Sequence, residues 1–169
     1  MKKTIAFVLI SALFFTIQAC SQPSEQTSEG ESLQQQATPL QQKEELLQQS
    51  VLDYVNLYRK SKGLAPLQMF PLITAEALRH SQNLADEKIA FGHDGFDGRA
   101  KRIMSQITGS NAIAENVAYG KFTAQEVVNR WIQSPGHRQN IEGKYTLTGV
   151  GIVRRNDGYL YFTQIFINK

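Results

Sequence analysis

Apolar residues recur at helical spacing in two stretches of the chain, which predicts two amphipathic helices. The first stretch ends at Gly63, a residue type that often follows a helix. Its apolar positions are Leu47, Val51, Val55 and Tyr58. The second stretch runs from Pro71 towards Ile89, and its predicted buried stripe consists of Ala75, Leu78, Ala85 and Ile89, with Gln82 interrupting it.

A capping box predicts a further helix. In "TAQE", Thr123 and Glu126 are spaced so that each side chain can bond the other's backbone N–H group. Apolar residues follow at Val127, Val128 and Trp131. Ser134 and Pro135 then end this helix and begin a short one, and as its N-cap Ser134 is expected to bond backbone N–H groups. His137 falls at the third helical position, where the helix dipole disfavours a protonated imidazole.

The pattern changes to strands near the C-terminus. The segments "TGVGIVRR" and "YLYFTQIFI" flank "NDG", which predicts a β-hairpin. In the second segment both faces are apolar, with Leu160, Phe162 and Phe166 on one face and Tyr161, Ile165 and Ile167 on the other. A strand that is apolar on both faces must be covered on both. We therefore expect an α+β fold, a three-layer α/β/α sandwich around a central antiparallel sheet.

The N-terminus has the features of an export signal. Lys2 and Lys3 precede an apolar run over residues 5–17, shorter than the ~20 residues of a membrane-spanning helix. The run ends in "IQAC", which resembles the lipobox of bacterial lipoproteins, where the cysteine is lipidated and becomes the new N-terminus. This predicts a signal peptide over residues 1–19, palmitate-type acylation of Cys20 and attachment to the membrane. Ordinary secretion with cleavage nearby is the alternative.

Composition separates a tether from a folded domain. Residues 20–42 are rich in Gln, Ser and Glu and contain no aromatic residue, so they are predicted to form a disordered tether. A glutamine-rich extension of the first helix is the alternative. Residues 43–169 are long enough for one independent domain. Cys20 is the only cysteine, so this domain contains no disulfide.

Charge excludes one class of partner. The chain carries 18 basic and 15 acidic residues, and loss of Lys2 and Lys3 with the leader would leave 16 basic against 15 acidic. No basic cluster typical of nucleic-acid binding is present. Ser21 follows the predicted lipidation site where inner-membrane lipoproteins usually carry Asp. In a host with two membranes, the outer one is therefore favoured.

Two histidines and one glutamate are the candidate functional residues. His93 lies in "FGHDGFDGR", a turn-rich loop, Glu115 in "IAENVAYG" and His137 in "WIQSPGHRQNI". Two His and one Glu form a known zinc ligand set with an open coordination position. His93 and Glu115 could instead bond neighbouring backbone groups, and His137 could simply pair with Glu115. His80, in "ALRHSQNLA", is expected to be exposed or to play a supporting part.

These three segments, in this order, resemble the signature segments of the CAP superfamily of cysteine-rich secretory, antigen 5 and pathogenesis-related proteins. The resemblance is strongest to the bacterial SCP-like branch of this superfamily. The resemblance covers residues 46–169 and implies the family's three-layer α/β/α fold. It also implies a cavity lined by two His and two Glu that binds a divalent metal in some members. His93, Glu115 and His137 match three of these positions, and Ser134 stands at the fourth. Asn116 and Asn140 match recurrent positions where supporting hydrogen bonds are expected.

Three functions remain open. The leading hypothesis is a non-catalytic, lipid-anchored binding module of the cell envelope whose cavity takes a lipid, glycan, peptide or divalent metal such as zinc. A hydrolase is the second, with Glu115 as base on a water held by His93 and His137 or by a metal. In the third hypothesis, the chain is a structural or interaction protein, and His93, Glu115 and His137 only stabilise the fold. Sequence motifs for other catalytic sites are absent: there is no G-x-S-x-G, no H-E-x-x-H and no phosphate-binding glycine loop.

Overall fold

The computed structural model describes residues 38–169. The predicted signal peptide 1–19, the predicted lipidation site Cys20 and residues 20–37 of the predicted tether lie outside the described residues. Among residues 38–169, no helix is both long enough and apolar enough to cross a bilayer.

Five helices and four strands are present within the described residues. The helices are α1 (Pro39–Ser61), α2 (Pro71–Ala85), α3 (Phe96–Met104), α4 (Ala124–Gln133) and α5 (Pro135–Glu142), and the strands are β1 (Gln68–Met69), β2 (Ala112–Gly120), β3 (Leu147–Arg154) and β4 (Leu160–Asn168). The strands form one sheet in the order β1-β3-β4-β2. β2 and β3 both pair antiparallel with β4, while the two-residue β1 pairs parallel with β3. The α+β prediction is confirmed, with a short parallel edge strand added.

Helix α1 begins inside the range predicted as tether. Thr38 is its N-cap, Pro39 its first residue, and Thr38 and Gln41 form a reciprocal capping box. Residues 39–42 are therefore helical, which agrees with the alternative of a glutamine-rich helix extension. The other end of α1 is held by Arg59, whose buried guanidinium donates to the carbonyls of Ile141 at 2.6 Å and Gly143 at 2.9 Å. Arg59 thereby fixes the end of α5, the helix that carries His137.

Helices cover both faces of the sheet. On one face, α1, α4 and α5 pack against it, and the buried residues include Val51, Val55, Val127, Trp131, Ile141, Phe162 and Phe166. On the other face, α2 and α3 pack against it, and the buried residues include Ile73, Ala77, Ile103, Ile165 and Ile167. The two apolar faces of β4 are thus divided between the layers as predicted.

The buried stripe predicted for α2 is only partly right. Ala85 is buried as predicted, but Ala75 is exposed, Leu78 is half-buried, and Ile89 lies beyond the end of α2 at Ala85. The buried face contains Ile73, Glu76, Ala77, His80, Ser81, Leu84 and Ala85. The sheet determines this face, because Gly149 and Gly151 of β3 leave room for the helix backbone. A Cβ atom at Gly149 would overlap the backbone of Ile73 and Thr74, and one at Gly151 would overlap that of Ala77.

The β3–β4 hairpin is confirmed. Arg155 N donates to the carbonyl of Tyr159 at 2.8 Å and closes the turn. Gly158 has a φ of +83°, a left-handed conformation that glycine adopts without a steric penalty. The turn contains the predicted "NDG" segment.

Candidate functional site

Glu115 lies on β2, the edge strand on the opposite side of the sheet from β1, in a segment for which the sequence predicted no strand. Its carboxylate points towards the α2–α3 layer and is almost completely buried. Neighbouring Asn116 points to the opposite face, towards α5. The edge strand therefore presents two polar side chains in succession, one to each helical layer.

Arg99 is the main partner of Glu115. Its Nε donates to Oε2 at 2.9 Å and its Nη2 donates to Oε1 at 2.8 Å, with both side chains buried. This two-point geometry is the strongest type of side-chain ion pair. Arg99 lies on α3, within a segment predicted to be a loop, and its Nη1 also donates to the carbonyl of Asp94 at 2.7 Å. One guanidinium thus ties the carboxylate to the loop that carries His93.

His93 completes the contacts of the carboxylate at the surface. Its Nδ1 lies 2.9 Å from Glu115 Oε1, and the ionised carboxylate can only accept this hydrogen bond. The side chain is 51% exposed, in contrast to Glu115 and Arg99. His93 therefore links the buried ion pair to solvent.

His80 lies next to the same carboxylate, and it is buried rather than exposed. Its Nε2 donates to the carbonyl of Gly92 at 3.0 Å and lies 3.8 Å from Glu115 Oε1. Burial lowers the pKa of His80, and the nearby charge of Arg99 lowers it further, while Glu115 opposes both effects. A neutral ring with Nε2 protonated leaves Nδ1 buried without a hydrogen-bond partner. Nothing in the sequence around His80 indicates this burial, since its neighbours Arg79, Ser81 and Gln82 are polar.

His137 is half-buried at the third position of α5, as predicted, but it makes no ion pair with Glu115 within 4.0 Å. Burial lowers the pKa of its imidazole, and the charge of nearby His93 adds to this effect. A lowered pKa favours the neutral form of the ring. The structure places His93 against Glu115, whereas His137 approaches from the opposite layer.

Two asparagines hold α5 against the edge strand. Asn140 Nδ2 donates to the backbone carbonyl of Glu115 at 3.1 Å and to Asn116 Oδ1 at 2.8 Å. Asn116 Nδ2 in turn donates to the carbonyl of His137 at 3.1 Å. This chain of bonds fixes the backbone of both candidate residues, Glu115 and His137.

Ser134 lies at the junction of α4 and α5, and one expectation for it is wrong. It is the N-cap residue of α5, but its hydroxyl makes no capping hydrogen bond. Ser134 supplies no carboxylate where the family pattern has its second Glu.

A shallow cleft of about 240 Å³ opens beside this cluster, and the residues that line it are His93, Phe96, Ile113, Ala114, Glu115 and Asn140. Within residues 38–169, no three His, Cys, Asp or Glu side chains are arranged to hold a metal ion. Arg99 supplies a physical reason, because its guanidinium engages both oxygens of Glu115. As they stand, these residues do not fit a divalent metal.

Two proteins of Bacillus subtilis (strain 168) are similar to this chain in sequence. The chain is 33% identical to the protein YkwD of Bacillus subtilis (strain 168) over 124 residues, which are 72% of this chain and 47% of that protein. It is 28% identical to the membrane protein YlbC of the same organism, covering 72% of this chain and 34% of the relative. The chain thus spans about half or less of the length of these curated relatives.

Two crystal structures resemble the domain. An extracellular protein containing a SCP domain from Bacillus anthracis str. Ames is 27% identical, with a TM-score of 0.64, over 79% of this chain and 44% of that one. A cysteine-rich secretory protein from Staphylococcus aureus subsp. aureus Mu50 is 25% identical, with a TM-score of 0.61, over 74% and 39%. The profile of the cysteine-rich secretory protein (CAP) family matches residues 52–166. The chain belongs to the CAP family.

Proposed function

We propose that this chain is an exported, lipid-anchored protein of the cell envelope whose CAP domain binds a ligand without catalysis. The N-terminal leader and the "IQAC" segment support export and acylation of Cys20. The extracellular relative in Bacillus anthracis supports export, and the membrane relative YlbC supports attachment to a membrane. In a host with two membranes, Ser21 favours the outer one.

The two-point contact between Arg99 and Glu115 is the observation that favours a binding function over hydrolysis. A general base must lie within hydrogen-bond reach of the water from which it takes a proton. In Glu115, Oε2 accepts from Arg99, Oε1 accepts from both Arg99 and His93, and the side chain is only 1% exposed to water. A carboxylate held in this way positions its neighbours rather than receiving a proton. The cleft then acts without a resident metal.

Among lipid, glycan and peptide ligands, the cleft favours an extended peptide. Three consecutive residues of strand β2, 113–115, line it, and edge strands offer backbone groups to an added strand. Asn140 already bonds the carbonyl of Glu115, so the peptide would pair with the other outward backbone groups of this edge. Phe96 and Ile113 provide an apolar contact, while His93 and Asn140 provide polar ones. The cleft has room for one or two side chains rather than for a long acyl chain.

Selection from a library of random peptides tests this proposal. The full chain, purified in a mild detergent, is immobilised, and enriched peptides are titrated into the wild type and into Phe96→Ala. We expect at least about a tenfold loss of affinity in Phe96→Ala. Phe70→Ala, which removes an exposed aromatic ring outside the cleft, is the matched control and should bind normally.

Three results would contradict the proposal. They are no enrichment of any peptide, equal affinity in the wild type and Phe96→Ala, and cleavage of the bound peptides detected by mass spectrometry. The last result would support the hydrolase hypothesis instead.

A further inference from the structure

Exposed aromatic rings cluster on the sheet face that α2 partly covers, beyond the end of that helix. Phe91 and Tyr119 are each 50% exposed, and Tyr159 is 36% exposed, whereas Tyr161 is buried beneath them. We call these four residues the aromatic surface. Large rings left open to solvent in a cluster often mark a binding site.

The rings form a floor and a wall. Tyr119 and Tyr161 are directly opposite each other on β2 and β4, and their rings are nearly parallel, at 19° with centroids 5.8 Å apart. Tyr159 continues the floor at 30° to Tyr119. Phe91 is tilted at 59° to Tyr119 with a centroid distance of 4.8 Å, so it stands as a side wall. Phe91, Tyr119 and Tyr161 line a depression of about 400 Å³ together with Leu84, Glu87, Ile89 and Ala90, and Tyr159 lies outside it.

A charged rim surrounds the floor, and its charges balance. Arg155 Nη1 lies 2.6 Å from Glu87 Oε1, and its Nε lies 2.9 Å from Asp157 Oδ2. The guanidinium also stacks over Tyr161, with its Cζ 5.7 Å from the ring centroid. Lys121 lies over the Tyr159 ring at 5.1 Å and provides the second cation. Two cations and two carboxylates leave the rim with no net charge.

The backbone at Glu87 ends helix α2 and places the Glu87 side chain at this rim. Glu87 has a φ of +56°, the left-handed conformation of a residue just past a helix C-terminus. Its N–H donates to the carbonyl of Leu84 at 3.2 Å, and the N–H of Lys88 donates to the carbonyl of Asn83 at 3.0 Å. This conformation brings the Glu87 carboxylate to Arg155 at the mouth of the depression, which Glu87 also lines.

We propose that the aromatic surface binds a neutral glycan. Arg155 and Lys121 lie over the rings of Tyr161 and Tyr159, so the exposed rings of Phe91 and Tyr119 provide the faces for the sugar. The face of an aromatic ring is electron-rich, so it attracts the weakly positive C–H groups on the face of a pyranose ring. The carboxylates accept hydrogen bonds from sugar hydroxyls, and Arg155 and Lys121 donate to them. A balanced rim gives no preference for an anionic lipid headgroup or an acidic polymer.

This surface is separate from the cleft beside Glu115. No residue lines both the depression and the cleft. The glycan proposal therefore does not rest on peptide binding, and either proposal can fail alone.

Titration of neutral oligosaccharides into the full chain tests the proposal by calorimetry. The probes are a β-1,4-linked N-acetylglucosamine tetramer and a β-1,4-linked glucose tetramer, which distinguish aminosugar from plain glucan sources. We expect at least one to bind with a Kd of about 1 mM or tighter. Tyr119→Ala should weaken binding by about tenfold or more, whereas Tyr119→Phe keeps the ring and should keep most of the affinity. Phe70→Ala is the control for removal of an exposed aromatic ring and should bind as the wild type does.

Thermal unfolding shows whether Tyr119→Ala remains folded, and Phe91→Ala replaces it if it does not. Failure of both oligosaccharides to bind folded wild type would overturn the proposal. Equal binding by the wild type and the alanine variant would also overturn it. So would binding to phosphatidylglycerol vesicles through Tyr119 in place of either sugar.

Discussion

The guanidinium of Arg99 contacts both carboxylate oxygens of Glu115, with Nε 2.9 Å from Oε2 and Nη2 2.8 Å from Oε1. Both side chains are buried, on α3 and on the edge strand β2. The same carboxylate accepts a hydrogen bond from His93 and lies close to His80. The pair thus joins the helical layer to the sheet edge and orients the surface of the cleft.

Arg99→Met should destabilise the domain by about 3–5 kcal/mol, because it leaves a buried carboxylate without its main partner. Urea unfolding at neutral pH measures the loss. Lys101→Met, which removes an exposed cation from the same helix, is the control and should change the free energy of unfolding by less than about 0.5 kcal/mol. Similar losses in both variants would show that the Arg99–Glu115 pair contributes little to stability.

The stability of the domain should fall on mild acidification. Burial lowers the pKa of His80 and of His137, so the unfolded chain binds protons more readily than the folded domain does. The free energy of unfolding therefore decreases as the pH falls below about 6.5, by up to about 1.4 kcal/mol per pH unit for each group. The free energy of unfolding stops decreasing once the pH is below the folded-state pKa values of both histidines.

His80→Gln should make this pH dependence shallower, because it removes one of the two groups while keeping a donor for the Gly92 carbonyl. Urea unfolding between about pH 7 and about pH 5 measures the slope. An unchanged slope would mean that His80 takes up protons equally in the folded and unfolded states.

Gly151→Ala should destabilise the domain by about 1–3 kcal/mol or more, because the new Cβ atom would overlap the backbone of Ala77 and Leu78. Gly136→Ala is the matched control, since nothing lies within 4 Å of a Cβ atom there. Because Gly136 is a helical position of α5, its replacement by alanine should instead stabilise the domain by about 0.5–1 kcal/mol. Thermal unfolding of the two variants compares them, and equal effects would refute the close packing of α2 on β3.

Cys20→Ser should abolish incorporation of labelled palmitate and release the chain from the membrane fraction, because stable anchoring needs the acyl chains. Metabolic labelling followed by fractionation measures both effects. Ser21→Ala keeps the cysteine and should remain labelled. Labelling that persists in Cys20→Ser would refute lipidation at this residue.

Local patterns predicted much of the fold. The capping box at Thr123 and Glu126 and the turn around Gly158 are determined by residues close in sequence, and both are present as expected. The two-faced apolar pattern of β4 predicted the three layers. These features depend on spacing alone, which a single sequence displays.

The remaining features depend on residues distant in sequence. The buried face of α2 is set by Gly149 and Gly151, which lie on β3. Strand β2 was missed because Glu115 and Asn116 interrupt its apolar pattern, and their burial depends on Arg99 and on Asn140 of α5. Arg99 lies within the recognised "FGHDGFDGR" segment, but only the fold brings it to Glu115.

Calorimetric titration of zinc into the full chain at neutral pH tests the central claim most directly. Because Arg99 engages both oxygens of Glu115, we predict no stoichiometric zinc binding by the folded wild type, and no difference from the His93→Ala/His137→Ala double variant. Binding of about one equivalent of zinc that disappears in the double variant would contradict the account. The cleft would then be a metal site, and hydrolysis would become the leading function.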